Sequence, residues 1–147
     1  MIVDGKKLAA ELLASVRARA AKLKRPPLLV AYVAEPTPAT LSYLRSKQRA
    51  ATLAGCDFEV RDINDSERPS NLLDRAKNAD AIIVQLPLPA GRNTDAILNA
   101  IPLAKDADVL SVSARAQFRN GGFVNPHILP PVVSAVKKIF DYGHKRG

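Results

Sequence analysis

Leu28-Leu29-Val30-Ala31-Tyr32-Val33-Ala34 is a run of seven residues with no charge or side-chain amide among them. A strand with one face in water alternates apolar and polar residues. An unbroken run of this length instead predicts a strand covered on both faces, as in the parallel sheet of an α/β fold. The flanks agree. Upstream, Leu8, Leu12, Leu13, Val16, Ala20 and Leu23 recur at helical spacing between lysines and arginines. They predict a helix over 6–24, with Asp4 as N-cap and Lys24-Arg25-Pro26-Pro27 as its stop. Downstream, the Pro36-Thr37-Pro38 turn leads into a helix over 39–54, capped by Thr37 or Thr40, with Gly55 as its C′ residue.

Further along, residues 57–63 alternate apolar and polar, which predicts a strand with one exposed side. Pro69 suits a first helical turn, starting a helix through about Lys77. Ala81-Ile82-Ile83-Val84-Gln85 is a short buried strand, and the prolines in Leu86-Pro87-Leu88-Pro89-Ala90-Gly91 prevent either element from continuing. Residues 93–100 suit a short helix ending at Ile101-Pro102. Residues 103–126 are poorly periodic, with a turn at Asn120-Gly121-Gly122. Pro130-Pro131 precede a last helix whose apolar side is Val132, Val133, Val136, Ile139 and Phe140, ended by Gly143. The order helix–strand–helix–strand–helix–strand, with short connections, predicts a three-layer open parallel sheet. Its crossovers are expected to be right-handed, with helices on both faces. No repeat or interdomain linker interrupts it, so residues 1–147 are expected to form one domain.

Composition narrows the function classes. At 147 residues, 47% hydrophobic and 24% charged, the chain can bury a core without staples. Cys56 is its one cysteine, so no disulfide forms within it, and a reducing setting fits. No apolar run approaches the roughly 18 residues of a membrane span. The opening Met1-Ile2-Val3-Asp4-Gly5-Lys6 lacks a signal-peptide core. A cytoplasmic protein is expected, with no membrane partner. The net charge of +8 raises nucleic acid as a partner. The basic residues are dispersed, however, and with 5% aromatics and no Trp there is little to stack single-stranded bases on. The expectation is no nucleic acid; solubility or attraction of an anionic small substrate accounts for the charge.

Three local patterns carry possible chemistry. Tyr43 and Lys47, four apart, share a helix face. A lysine that transfers protons must reach its neutral form near pH 7, about three units below its ordinary value, which burial or nearby cations can achieve. Gln85 ends a buried strand, where open parallel sheets place their ligands. Lys105-Asp106-Ala107-Asp108 is a carboxylate pair of a kind more often found in a turn or a surface cluster. No His, Cys or carboxylate spacing suggests a metal, and His127 and His144 are isolated. Tyr-x-x-x-Lys also occurs in short-chain dehydrogenases. Those place a glycine-rich loop after the first strand, where this chain has Ala34-Glu35-Pro36-Thr37-Pro38.

In combination these stretches resemble the bifunctional methylenetetrahydrofolate dehydrogenase/methenyltetrahydrofolate cyclohydrolase family. Ile2-Val3-Asp4-Gly5-Lys6 resembles its start, and Pro38-Ala39-Thr40-x-x-Tyr43-x-x-x-Lys47 its first signature. Ile83-Val84-Gln85-Leu86-Pro87-Leu88-Pro89 nearly repeats the second. Lys105-Asp106-Ala107-Asp108 is similar to the family's Lys-Asp-Val-Asp-Gly, with Val109 in place of glycine. Pro130-Pro131-Val132-Val133 falls where the family has Pro-Cys-Thr. The resemblance implies the family's tetrahydrofolate-binding catalytic domain, active in one-carbon metabolism and yielding 10-formyltetrahydrofolate. It makes Lys47 the catalytic lysine, Gln85 the residue that tunes it, and Tyr43 a stacking surface for the folate rings. Asp108 becomes the acceptor for the pterin edge, with Leu86, Pro87 and Pro131 lining the substrate. The family's NADP or NAD is bound by a separate Rossmann-type half, so the resemblance implies no cofactor-binding residue here and no metal. It also implies at most partial cyclohydrolase activity for this chain. The family is homodimeric, largely through that other half, which leaves a monomer open here. Two other classes compete: a non-catalytic folate-binding or interaction module, and a basic nucleic-acid-binding domain.

Overall fold

A computed structural model describes residues 3–63, 69–121 and 129–144. Its elements in chain order are helix α1 (Gly5–Ala20), strand β1 (Leu28–Val33), helix α2 (Pro38–Leu53), strand β2 (Asp57–Asp62), helix α3 (Pro69–Arg75) and strand β3 (Ala81–Val84). Helix α4 (Thr94–Ala100), a 3-10 turn at Leu103–Lys105, helix α5 (Val112–Arg119) and helix α6 (Pro131–His144) follow.

The three strands form a parallel sheet in the order β2-β1-β3. Leu28 pairs with Asp57 and Leu29 with Ala81, so β1 lies in the middle with both edges hydrogen-bonded. Its side chains divide by parity. Val30 and Tyr32 join Ile82 and Val84 under Leu72 and Ala76 of the α3 region and Ile97 and Leu98 of α4. Ala31 and Val33 join Ile83 on the opposite face, against Leu44 of α2. This two-sided burial is the physical reason for the unbroken apolar run, and it produces the expected three layers. Among the described residues no helix is long and apolar enough to cross a membrane.

Local chemistry sets most boundaries. The Asp4 carboxylate accepts from Lys6 N and Lys7 N, and the Thr37 hydroxyl accepts from Thr40 N, resolving the choice of cap for α2 in favour of Thr37. Gly55, at φ +73°, closes α2: its N–H donates to the Thr52 carbonyl and the Cys56 N–H to the Ala51 carbonyl. This is the paired capping that a left-handed residue permits. Helix α1 ends at Ala20, four residues earlier than its periodicity suggests. Past it the chain tightens into turns, with Lys22 N donating to the Arg19 carbonyl and Leu23 N to the Ala20 carbonyl, and the Arg25 guanidinium donates twice to the Asp80 carboxylate, at 2.7 and 3.0 Å. Asp80 also accepts from Leu28 N, which ties the starts of β1 and β3 together. Its carboxyl is held below the usual range, first by the hydrogen bond from Arg25 and next by the Leu28 N–H.

Two stretches depart from expectation. Helix α5 lies in the region 103–126 whose periodicity is poor. It is short, buries only Ala114, and begins because the Ser111 hydroxyl accepts from Ala114 N. Helix α6 runs through Gly143 to His144 instead of stopping at the glycine. Its apolar side is uncovered among the described residues, Val132 being 75% and Phe140 65% exposed. His127 and Gly122 lie outside the described residues.

Candidate functional site

The strand order places the site. After β1 the chain moves to one side to make β2, then returns past β1 to make β3. The chain leaving β1 passes to the α2 face and the chain leaving β3 to the α4 face, which makes the carboxyl ends of these two strands the switch point where open sheets receive ligands. Gln85 follows β3 directly, and its N–H donates to the Tyr32 carbonyl at 2.7 Å, fixing it at that mouth. A single parallel bridge pairs Ile82 with Asp106, and Ala107 N donates to the Ile82 carbonyl at 3.2 Å. The segment continues alongside β3, so Asp108 comes level with Val84 at the same end of the sheet. Lys47 arrives from the middle of α2, on the sheet face beneath that helix.

Three side chains distant in sequence thus meet. Lys47 Nζ donates to Gln85 Oε1 at 3.4 Å and lies 3.8 Å from Asp108 Oδ2, an ion-pair distance too long for a hydrogen bond. Gln85 Nε2 donates to the Leu86 carbonyl at 3.1 Å, so the amide presents its oxygen to the ammonium. The Nζ also sits 4.9 Å from the centroid of the Tyr43 ring, within cation–π range. Tyr43 itself is 56% exposed, leaving its ring open to a planar partner.

Electrostatics at Asp108 are set by competition. At an effective dielectric of about 20, a unit pair at this separation attracts by roughly 4 kcal/mol before desolvation. Desolvation nevertheless dominates: burial pushes the Asp108 carboxyl up, Lys47 pulls it back, and neighbouring Asp106 adds to the rise. The site therefore holds a carboxylate that is costly to ionise beside an ammonium that favours its charge.

Asp106 is not the surface charge its motif suggests. It is 3% exposed and accepts from Leu110 N at 3.4 Å and Ser111 N at 3.1 Å. Between them Val109 stands at φ +56°, a left-handed backbone that a β-branched residue rarely adopts. The run Asp106-x-Asp108-x-x-Ser111, with an acceptor ahead of a helix cap, was the available signal for this turn.

The remaining predicted site residues are placed less centrally. Leu86 is half-buried and Pro87 exposed beside Gln85, joined by a cis peptide bond. Pro131 opens α6 and is exposed, with no described contact to Lys47, Gln85 or Asp108. Among the described residues no group of three or more His, Cys, Asp or Glu side chains could hold a metal ion. The turn after β1 does not fit a dinucleotide. Two prolines flank Thr37, and the Thr37 hydroxyl already occupies the Thr40 N–H that would face a phosphate.

Comparison with known proteins gives one answer. Residues 3–108 match the family described as tetrahydrofolate dehydrogenase/cyclohydrolase, catalytic domain. The chain is 41% identical over 113 residues to the bifunctional protein FolD of Acidiphilium cryptum, covering 73% of the chain and 40% of that protein. It is 35% identical over 150 residues to FolD of Streptococcus suis, covering 95% of the chain and 52% of that protein. Among solved structures, the Trypanosoma brucei methylenetetrahydrofolate dehydrogenase-cyclohydrolase, complexed with NADP and an inhibitor, superposes with a TM-score of 0.82. It is 25% identical, over 98% of the chain and 52% of that structure. The Campylobacter jejuni enzyme gives 0.81 at 25% identity, over 95% and 52%. The chain thus spans about half the length of these relatives.

Proposed function

Because the chain belongs to the tetrahydrofolate dehydrogenase/cyclohydrolase family, we propose that residues 1–147 form its tetrahydrofolate-binding catalytic domain, with Lys47 as the proton-transfer group of methenyltetrahydrofolate hydrolysis. The observation that carries this reading is the convergence of Lys47 Nζ on Gln85 Oε1 and Asp108 Oδ2 at the mouth of the sheet.

The chemistry suits these groups. The methenyl carbon is part of an amidinium and is electrophilic. As water adds to it, a base must take a proton; as the bond from that carbon to the ring nitrogen breaks, the nitrogen must receive one. A single amine can do both in turn, leaving the formyl group on the exocyclic nitrogen. Gln85 holds the amine in place through its amide oxygen. Tyr43 offers a face for the folate rings, and Asp108 is an acceptor for the pterin's amino and ring N–H donors. Leu86, Pro87 and Pro131 belong to the same reading as substrate-lining residues.

No step here is routed through a nicotinamide, since the β1–α2 turn does not fit the phosphates of a dinucleotide. In this reading NADP or NAD is not bound by residues 1–147, and the chemistry assigned to them is the cyclohydrolase step. Tetrahydrofolate derivatives are the chain's partners in the cytoplasm, without nucleic acid or membrane.

The test is the loss of methenyltetrahydrofolate absorbance, with Lys47→Met as the decisive variant. Turnover above the uncatalysed rate that vanishes in the variant supports the assignment. Full turnover in Lys47→Met refutes it, and folate binding without turnover in either protein identifies a binding module instead.

A further inference from the structure

The Asp108 side chain has to be held at the mouth of the sheet by something, and its own turn offers little reason to stay there. Val109 has a left-handed backbone at φ +56° with its side chain 7% exposed, so the turn carries steric strain. Left alone, a β-branched residue would relax to an extended or helical backbone and swing Asp108 away. What opposes this is the preceding carboxylate. Asp106 Oδ1 accepts from Leu110 N and Oδ2 from Ser111 N, so both oxygens grip the far side of the turn. Asp106 is itself anchored, by its bridge to Ile82 and by donation of its own N–H to the Pro102 carbonyl at 3.1 Å.

We propose that Asp106 is the positioning residue of this site: its buried carboxylate clamps the 106–111 turn against the strain at Val109 and thereby fixes Asp108 within reach of Lys47. The inference rests on the folate reading for its consequence and on geometry for its substance. The charged groups facing Asp108 are Lys47 from α2 and Asp106 from its own turn, and the rise of the Asp108 carboxyl owes part of its size to Asp106.

The experiment uses the whole chain. The Asp108 carboxyl is titrated by 13C NMR, and affinity for 5,10-methenyltetrahydrofolate is measured, in wild type, Asp106→Asn, and Asp106→Asn with Val109→Gly. The Asn side chain keeps one acceptor oxygen and loses the charge. Asp106→Asn is expected to lower the Asp108 midpoint and to weaken binding about tenfold, the scale of one lost charge-assisted hydrogen bond. Adding Val109→Gly is expected to recover affinity, because glycine holds the left-handed turn without a clamp. A general loss of stability would not be reversed by removing a buried side chain. Unchanged midpoint and affinity in Asp106→Asn overturn the proposal, as does the absence of any rescue. If Asp106→Asn does not fold, amide exchange in the wild type decides: protected Leu110 and Ser111 support the clamp, and random-coil rates overturn it. A wild type that binds no folate defeats the functional reading, while amide exchange at Leu110 and Ser111, compared between wild type and Asp106→Asn, still decides on the clamp.

Discussion

Replacing Val109 by alanine and by glycine separates burial from backbone strain. Val109 is 7% exposed at φ +56°. Alanine removes two buried methyl groups, at about 0.8 kcal/mol each, and keeps the Cβ that strains the backbone, so a loss of roughly 1.6 kcal/mol is expected. Glycine removes one more carbon, about 0.8 kcal/mol, and loosens the unfolded chain by about 0.5–1 kcal/mol. Against these it releases the left-handed penalty of about 1–2 kcal/mol. At an ordinary backbone position glycine would therefore fall about 1.5 kcal/mol below alanine; here the two are expected to agree within about 0.5 kcal/mol. Urea unfolding of the three proteins, with equal m values, measures the difference. Glycine more than about 1 kcal/mol less stable than alanine would show that the turn carries no such strain and would remove the need for a clamp.

Other perturbations test other contacts. Tyr32→Phe deletes the hydroxyl that donates to the Leu72 carbonyl at 2.6 Å in the core, and is expected to cost about 1–2 kcal/mol in urea unfolding. An unchanged midpoint would contradict the buried bond. Asp108 is raised by burial, so the folded chain holds this proton more tightly than the unfolded chain. Its contribution is then most favourable below the ordinary carboxylate range near ~3.9 and is lost as pH rises through the folded value. Asp108→Asn should accordingly melt higher than wild type at pH 7, with an advantage that fades toward pH 3; equal melting at pH 7 would count against desolvation as the dominant effect. Asp80, lowered by Arg25, has the opposite sign: its contribution is present above the ordinary range and is lost as pH falls through the folded value. Asp80→Asn should therefore be destabilising at pH 7 and neutral in strong acid, as followed by thermal melts. Gln85→Leu removes the acceptor of the Lys47 ammonium and is expected to reduce methenyl hydrolysis at least ~10-fold while the fold persists. Wild-type turnover in that variant would exclude the amide from the mechanism.

Much of this chain is local in origin and was therefore legible one stretch at a time. The apolar run at 28–34 has no alternation because both faces of β1 are covered, and that pattern can be read without knowing by what. Asp4, Thr37 and Gly55 bound their helices through hydrogen bonds to residues two to five positions away. Tyr43 and Lys47 share a face because helical geometry puts them there.

The tertiary structure decided everything that depends on a distant partner. Helix α5 buries one residue, too few to impose a period, and exists by virtue of its cap at Ser111 and the Asn99 side chain that accepts from Val112 N. Helix α6 shows the converse: its apolar spacing is clear in the sequence, yet its side chains stay exposed because periodicity does not supply a covering surface. Lys105-Asp106-Ala107-Asp108 looks like one acidic cluster. Pairing beside β3 splits it into a buried carboxylate bonded to Leu110 N and Ser111 N and a half-buried carboxylate facing Lys47. The missing information is the strand order. Once β3 lies beside β1, residues 47, 85 and 108 reach the same mouth, and no spacing along the chain encodes that meeting.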